Sequence, residues 1–205
     1  MIKTNAARLL DAAGIGYELI PYEFSEDDLS AGKVAASLGE DVERVFKTLV
    51  LRGDRNGVFV CVIPGDFEVD LKLAASISGN KSCAMVHVKE LLGLTGYIRG
   101  GCSPIGMKKA YPTFIHESAL LYDYIYISAG VRGLQMKIAP SDLFSYTGAE
   151  IYPIRSACLS YGGFAVSADL QSAACLCCLG ECVIRRFLPP AAISIPRRRE
   201  EPARG

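Results

Sequence analysis

The chain has 205 residues, half of them hydrophobic and 21% charged, a balance that allows one globular domain with a substantial core. Lys and Arg together number 22, as do Asp and Glu, so the totals lack the excess of positive charge that broad electrostatic binding of nucleic acid requires. The start MIKTNAARLLDAAG has an amphipathic pattern rather than that of a signal peptide, and no apolar run is long enough to span a membrane, so we expect a cytoplasmic protein with reduced cysteines.

The predicted elements alternate irregularly between strands and helices. Thr4 and Gly14 are typical cap residues and predict a first helix between them. The turn-rich segments GDRNG and AGVRG each predict a hairpin between two strands. In chain order, the remaining predictions are strands over residues 17–22, 45–52, 58–63, 113–116, 124–128, 134–139 and 149–154, and helices over residues 33–38, 71–78, 88–92 and 141–147.

This order differs from the regular alternation of a parallel doubly wound sheet. It favours an α+β fold with a mixed, mostly antiparallel sheet, curled into a β-barrel and flanked by helices. The composition changes near residue 155: residues 155–205 contain no lysine, seven arginines and five of the eight cysteines. We therefore expect a domain over residues 1–154 and a poorly ordered tail over residues 155–205.

Lys47 interrupts the apolar strand VFKTLVLR. Both faces of this strand are mostly apolar, so neither is typical of a solvent-facing surface. An unpaired buried ammonium is costly, which leaves two readings. Either Lys47 reaches solvent from a strand end, or it lines a cavity and meets an anionic or carbonyl-bearing ligand.

The segment GGCSPIG begins with Gly100 and Gly101 and continues through Cys102 and Ser103. Adjacent glycines allow backbone N–H groups to approach a carbonyl oxygen, although an ordinary tight loop has the same composition. Cys102 as a nucleophile would need a nearby base, and neither histidine lies in a recognisable signature. A small buried thiol is the simpler interpretation.

Other candidate sites are weaker. Lys108 and Lys109 follow the glycine loop and would either bind phosphates or form a solvated pair. The tail has a single CxxC spacing, from Cys175 to Cys178, without the second pair of a typical zinc site. We therefore expect neither a metal nor a cofactor.

Four segments in order carry a family resemblance: RVFKTLV, VFVCVIPGDFEVDLKLAA, TGYIRGGCSPIGMKKAYPTFI and YIYISAGVRGLQMKIAPSDL. Together they resemble the YbaK family of aminoacyl-tRNA deacylases, whose domain is also the editing insertion of bacterial prolyl-tRNA synthetases. The resemblance covers residue 3 to about residue 154. It implies a compact mixed β-barrel with helices, and trans-editing hydrolysis of the ester in a mischarged aminoacyl-tRNA, most typically Cys-tRNA(Pro).

The resemblance also implies roles for individual residues. Lys47 would be the essential residue that meets the 3′-terminal nucleotide of the tRNA, with Gly100 and Gly101 as donors to the ester carbonyl. No metal and no enzyme nucleophile would take part; water or the thiol of the substrate would attack. The residues expected to bind substrate are Tyr22, Thr48, Ser103, Ser128 and Gln135.

The chain departs from the family pattern at Gln135, where an aspartate is frequent, and near Leu29 and Ser30, where a pocket phenylalanine has no clear counterpart. Both changes concern the choice of amino acid. The expected partners are the CCA end of an aminoacyl-tRNA and, because a neutral protein binds tRNA weakly alone, a prolyl-tRNA synthetase. Two rival functions stay open: a non-catalytic module that binds tRNA ends or a synthetase, and a hydrolase that uses Cys102.

Overall fold

The computed structural model describes residues 3–24 and 30–152. Within these ranges the chain forms five α-helices, eight strands and two short 3-10 helices. The α-helices are α1 (Asn5–Ala13), α2 (Ala31–Leu38), α3 (Leu71–Ile77), α4 (Val88–Thr95) and α5 (Pro140–Thr147). The strands are β1 (Tyr17–Pro21), β2 (Phe46–Gly53), β3 (Val58–Pro64), β4 (Cys83–Met85), β5 (Thr113–His116), β6 (Ile125–Ser128), β7 (Leu134–Ile138) and β8 (Glu150–Tyr152). The 3-10 helices are Val42–Arg44 and Glu117–Leu121.

Capping side chains fix the starts of α1 and α3. The Thr4 hydroxyl accepts a hydrogen bond from the N–H of Ala7, and the Asp70 carboxylate accepts from the N–H groups of Lys72 and Leu73. The last helix differs from its prediction. It begins at Pro140, one residue before the predicted start, because the fixed φ of proline suits the first helical position.

The strands form two sheets with a mixture of pairings. One sheet has the order β1-β7-β6 and is antiparallel throughout; the other has the order β4-β2-β3-β5-β8, with parallel pairing of β3 with β5 and of β5 with β8. An isolated parallel bridge between Val45 and Tyr126 links the sheets. The α+β class with a mixed sheet is therefore confirmed, while the described strands form two bridged sheets and do not show a closed barrel.

Alternating side chains of β2 enter different apolar clusters. Phe46 and Val50 belong to the large core that lies against β6, β7 and α1, whereas Leu51 belongs to the smaller core beneath α3. Val45, just before the strand, packs with α2 and Tyr126. Both faces of the strand therefore carry buried apolar residues, as the sequence indicates, and Lys47 is a partly buried residue on the face of Leu51.

None of the helices in the described part of the chain is long and apolar enough to cross a membrane. The tail that the sequence predicts beyond residue 154 lies outside the described residues.

Candidate active site

A cavity of about 740 Å³ opens beside β2, within the size range of small-molecule sites. Its wall combines the start of α2, one face of α4, the loop before Cys102 and the ends of β6 and β7. The lining residues are Tyr22, Ser30, Ala31, Val34, Val45, Phe46, Lys47, Thr48, Leu49, Val50, Gly65, Met85, Val86, Val88, Leu91, Arg99, Gly100, Cys102, Ser128 and Gln135.

Lys47 lies in the wall of this cavity, as the second of the two sequence readings requires. The side chain is half-buried, and its Nζ donates a hydrogen bond to the carbonyl oxygen of Gly65 at 3.0 Å. An ammonium has three N–H donors, so this bond leaves further donor capacity for a ligand.

Burial lowers the pKa of Lys47 below its usual value, because the charged form loses hydration in the cavity wall. The negative charges of Glu68 and Asp66 act in the opposite direction and raise this pKa. Both carboxylates follow Gly65 in the chain, so one short segment supplies the ammonium with its hydrogen-bond acceptor and with compensating charge.

Gly65 occupies a position that tolerates no side chain. A Cβ built there would overlap the methyl group of Ala31 and would lie 3.0 Å from the carbonyl oxygen of Val45. The N–H of Gly65 donates to that same Val45 oxygen at 2.7 Å. The absence of a side chain therefore lets α2 pack directly on the backbone that orients Lys47.

The glycine loop lies against the hairpin that joins β6 and β7. A Cβ at Gly101 would lie 3.2 Å from backbone atoms of Val131, a tight contact that a few tenths of an ångström of movement would relieve. Gly100 has a φ of +83° and lines the cavity. The N–H of Gly101 donates to the carbonyl oxygen of Ile98 at 3.0 Å, so in this arrangement the two glycines do not form a matched pair of donors.

Four of the five residues predicted to bind substrate line the cavity: Tyr22, Thr48, Ser128 and Gln135. Two of them carry buried polar atoms without a hydrogen-bond partner in the described structure, the Oγ1 of Thr48 and the Oε1 of Gln135. Buried polar groups in native proteins are generally paired with protein atoms or ordered water, so these two atoms are the polar groups at the site that the described protein atoms do not satisfy.

Ser103 is the exception, because it is fully buried and is not part of the cavity wall. Its Oγ accepts a hydrogen bond from the N–H of Ile105 at 3.3 Å, a contact that shapes the loop. Tyr97 also holds the loop, since its hydroxyl donates to the carbonyl oxygen of Ile105 at 2.6 Å. Ser103 therefore supports the site indirectly.

Cys102 lines the cavity, but burial raises the pKa of its thiol to about 12. At neutral pH this group is a protonated thiol, and the thiolate is the form that attacks carbonyl carbon. Neither histidine lines the cavity: His87 precedes α4, and His116 ends β5. This arrangement favours the interpretation of Cys102 as a small buried side chain.

Sequence reasoning missed two parts of the site. Arg99 lines the cavity beside Gly100, and its carbonyl oxygen accepts a hydrogen bond from the Nε of Arg132 at 2.9 Å. The segment TGYIRGG contains this arginine, but no pattern separated it from other surface cations. Gly65 was missed because it contributes a backbone carbonyl oxygen, which every residue type has. Its position directly after a buried strand was the only hint in the sequence.

The weaker candidates lie elsewhere or have no counterpart in the structure. Lys109 lines a separate depression of about 190 Å³, and the side chain of Lys108 lies beside Gly96. Over the described ranges, no group of three or more His, Cys, Asp or Glu side chains is arranged to hold a metal ion. The CxxC cysteines of the tail are outside those ranges.

Comparison with known sequences identifies the family. The sequence profile described as the aminoacyl-tRNA editing domain matches residues 26–146. A protein of Enterococcus faecalis, named as a predicted Cys-tRNA(Pro)/Cys-tRNA(Cys) deacylase, EbsC, is 49% identical over 152 residues, which cover 74% of this chain and 93% of the relative. A proline–tRNA ligase of Fervidobacterium nodosum is 33% identical over 79 residues, covering 38% of this chain and 14% of the ligase.

Solved structures agree with this assignment at the level of the fold. A crystal structure described as that of a predicted trans-editing enzyme for prolyl-tRNA synthetase matches with a TM-score of 0.67 and 23% identity, covering 77% of this chain and all of the other. The crystal structure of the hypothetical protein APE2540 matches with the same TM-score and identity over 73% of this chain and 97% of the other. The resemblance predicted from the sequence is confirmed, and the chain belongs to the aminoacyl-tRNA editing domain family.

Proposed function

We propose that this protein is a trans-editing deacylase that hydrolyses mischarged aminoacyl-tRNA in the cytoplasm, with Cys-tRNA(Pro) as its first substrate. The observation that carries this proposal is the half-buried Lys47 ammonium in the wall of a cavity of about 740 Å³. Support comes from the family assignment and from the relative in Enterococcus faecalis, whose name states this substrate.

The cavity suits an ester that is already activated and needs positioning more than a nucleophile from the enzyme. Lys47 and Arg99 place two cationic side chains at the wall, where the phosphate or ribose oxygens of the terminal nucleotide would bind. The N–H of Gly100 is the candidate donor to the carbonyl oxygen as negative charge develops there. Either water or the thiol of a cysteinyl group attacks the carbonyl carbon, the bond to the ribose oxygen breaks, and that oxygen takes up a proton.

A second hydrolytic site has a physical purpose in translation. An apolar pocket that differs by one methylene group discriminates only about 10–200-fold between amino acids, so synthesis alone leaves mischarged products. The splayed bases of a single-stranded CCA end are accessible to a small domain. Because the chain has no net charge, we also propose that a prolyl-tRNA synthetase assists delivery of the tRNA.

Release of labelled amino acid from Cys-, Ala- and Ser-tRNA(Pro) and from Cys-tRNA(Cys), measured with purified protein, tests the proposal. We expect Cys-tRNA(Pro) to be deacylated well above the rate without protein, and added prolyl-tRNA synthetase to lower the concentration of tRNA required. Binding of these tRNAs without release of any amino acid would instead identify a non-catalytic module.

A further inference from the structure

The peptide unit between Arg99 and Gly100 is the central unit of a tight turn. The turn spans Ile98 to Gly101, because the N–H of Gly101 donates to the carbonyl oxygen of Ile98 at 3.0 Å. Gly100 is its third residue and has a φ of +83°, the positive value that a type II turn requires at this position. The bond that closes the turn does not involve the central unit, whose carbonyl and N–H exchange directions between the type I and type II forms. A contact from outside the turn therefore decides the orientation of this unit.

Arg132 supplies such a contact. Its Nε donates a hydrogen bond to the carbonyl oxygen of Arg99 at 2.9 Å, although the two residues are 33 positions apart in the chain. A guanidinium is always charged in proteins, and charged donors form stronger hydrogen bonds than neutral donors do. Arg132 is not among the residues that line the cavity, so its Nε holds the turn from outside the cavity wall.

The hairpin that carries Arg132 is itself held in place. The N–H of Ala129 donates to the carbonyl oxygen of Leu134 at 3.2 Å and closes the loop between β6 and β7. Gly130 lies so close to the ring of Tyr97 that a Cβ there would be 2.8 Å from a ring atom. These contacts fix the backbone on either side of Arg132, and so they set where its guanidinium meets the turn.

The N–H of Gly100 belongs to the same peptide unit as the carbonyl of Arg99. In a trans peptide these two groups point in opposite directions, so a contact that fixes the carbonyl also fixes the N–H. A charged donor on the oxygen polarises the unit as well, which strengthens the N–H as a donor. Gly100 lines the cavity, and its N–H donates no hydrogen bond within the described part of the chain. This N–H is therefore available to a ligand.

We propose that Arg132 is a positioning residue for deacylation, which holds the Arg99–Gly100 peptide unit so that the Gly100 N–H donates to the ester carbonyl oxygen. This inference rests on the proposed function, in which that N–H stabilises the negative charge developing on the oxygen. Arg132 acts through the peptide unit and does not touch the ester. Because the donated bond strengthens in the transition state, loss of Arg132 lowers kcat and leaves KM nearly unchanged.

Three substitutions of Arg132 separate its hydrogen bond from its charge. Glutamine places a neutral N–H donor as many bonds from the backbone as the Nε of arginine. Methionine has similar length without a donor, and lysine keeps the charge but moves it one bond further out. We expect Arg132→Met to lose about 100-fold in kcat, near the lower limit for losing an oxyanion donor outright. Arg132→Gln should stay within about tenfold of the wild type and be faster than Arg132→Lys.

Steady-state deacylation of Cys-tRNA(Pro) gives kcat and KM for each variant. Arg55→Met is the matched control, because Arg55 is an exposed arginine in the other hairpin turn, between β2 and β3, and does not line the cavity. It should keep both wild-type constants. Circular dichroism verifies that all the variants fold.

An NMR measurement tests the geometry without any substrate. Isotopic labelling of the arginine carbonyl carbon and the glycine nitrogen isolates the four Arg–Gly peptide units of the chain, and the signal lost in Arg99→Lys assigns the unit of Gly100. The nitrogen shift of a peptide unit responds to hydrogen bonding at its own carbonyl. We expect the Gly100 signal to move in Arg132→Met, to move less in Arg132→Gln and to stay in place in Arg55→Met.

The outcomes separate this inference from the proposed function. The inference is wrong, and the deacylase proposal stands, if the Gly100 signal or kcat is unchanged in Arg132→Met. The same holds if KM alone rises, or if Arg132→Lys is faster than Arg132→Gln, since the charge would then act directly on the tRNA. If the wild type releases no amino acid, both are wrong. A moved Gly100 signal together with the expected order of kcat values supports both.

Discussion

The Nζ of Lys47 lies 3.0 Å from the carbonyl oxygen of Gly65, so a backbone group of the neighbouring strand orients the cation of the cavity. This contact joins β2 to the end of β3 at the point where α2 begins. A lysine that reached for solvent would have no need of such an acceptor. The position of the ammonium therefore follows from the packing of two strands and one helix.

Replacing Lys47 with alanine removes this cation while leaving the strand intact. We expect deacylation to fall by at least about 100-fold, because the terminal nucleotide loses the charged contact that holds the ester in position. The measurement is single-turnover release from Cys-tRNA(Pro). Lys33→Ala is the matched control, because Lys33 is exposed on α2 and does not line the cavity; it should keep the wild-type rate. Near wild-type turnover by Lys47→Ala would refute the assignment.

Substitution of Gly65 by alanine tests the packing that holds Lys47. The new methyl group would overlap Ala31, and the required shift should cost about 1–3 kcal/mol of unfolding free energy and lower the deacylation rate. Gly32→Ala is the control, because Gly32 lies on α2 next to Ala31 and a Cβ there meets nothing within 4 Å. Alanine is favoured over glycine inside a helix, so this variant should stabilise the protein by about 0.5–1 kcal/mol. Denaturant unfolding measures both changes, and equal stabilities of the two variants would contradict this role of Gly65.

Much of the fold follows from local signals in the sequence. The first helix runs between Thr4 and Gly14 because the hydroxyl of one caps its start and the positive φ of the other ends it. The short strand β4 was not predicted. Its middle and last residues, Ala84 and Met85, are exposed, so the strand has no alternating pattern, and it exists through its antiparallel pairing with β2.

The division into two sheets also lay beyond sequence reasoning. Hairpins join neighbours in the chain, and their turns predict β2 with β3 and β6 with β7. The pairing of β1 with β7 and the bridge from Val45 to Tyr126 connect segments far apart in the chain, and these contacts decide whether sheets close or separate.

The candidate site was predictable where a side chain breaks a pattern. Lys47 is conspicuous because a charge interrupts an apolar strand, and the structure places it in the cavity wall. Gly65 contributes a carbonyl oxygen, which every residue type possesses, so the sequence carries no distinct sign of it. Ser103 stands beside the glycine pair in the chain, yet burial of its side chain separates it from the cavity.

The Cys102→Ser variant distinguishes the proposed mechanism from a cysteine hydrolase. A thiol with a pKa of about 12 is protonated at neutral pH, so its loss should change the rate by no more than a few-fold. Deacylation of Cys-tRNA(Pro) under the same single-turnover conditions gives the comparison. Full inactivation of a folded Cys102→Ser protein would show that the thiol attacks the ester.

The cavity lysine should also reduce the stability of the protein. Burial lowers the pKa of Lys47, so the folded chain binds the proton of Lys47 less tightly than the unfolded chain does. Keeping the ammonium in the folded state therefore costs stability at pH values below the folded-state pKa. Lys47→Met, which fills similar space without charge, is expected to raise the free energy of unfolding by on the order of 1 kcal/mol at neutral pH while abolishing activity.

The sign of this effect fixes its dependence on pH. Wild-type Lys47 costs stability throughout the range below its folded-state pKa. That cost shrinks as pH rises from the folded-state pKa towards the usual lysine value of about 10.4, above which both states are neutral. The stability difference between Lys47→Met and the wild type should therefore decrease at alkaline pH in urea unfolding. A difference that grows with pH would mean that the ammonium is stabilised in the folded state, contrary to the burial of its side chain.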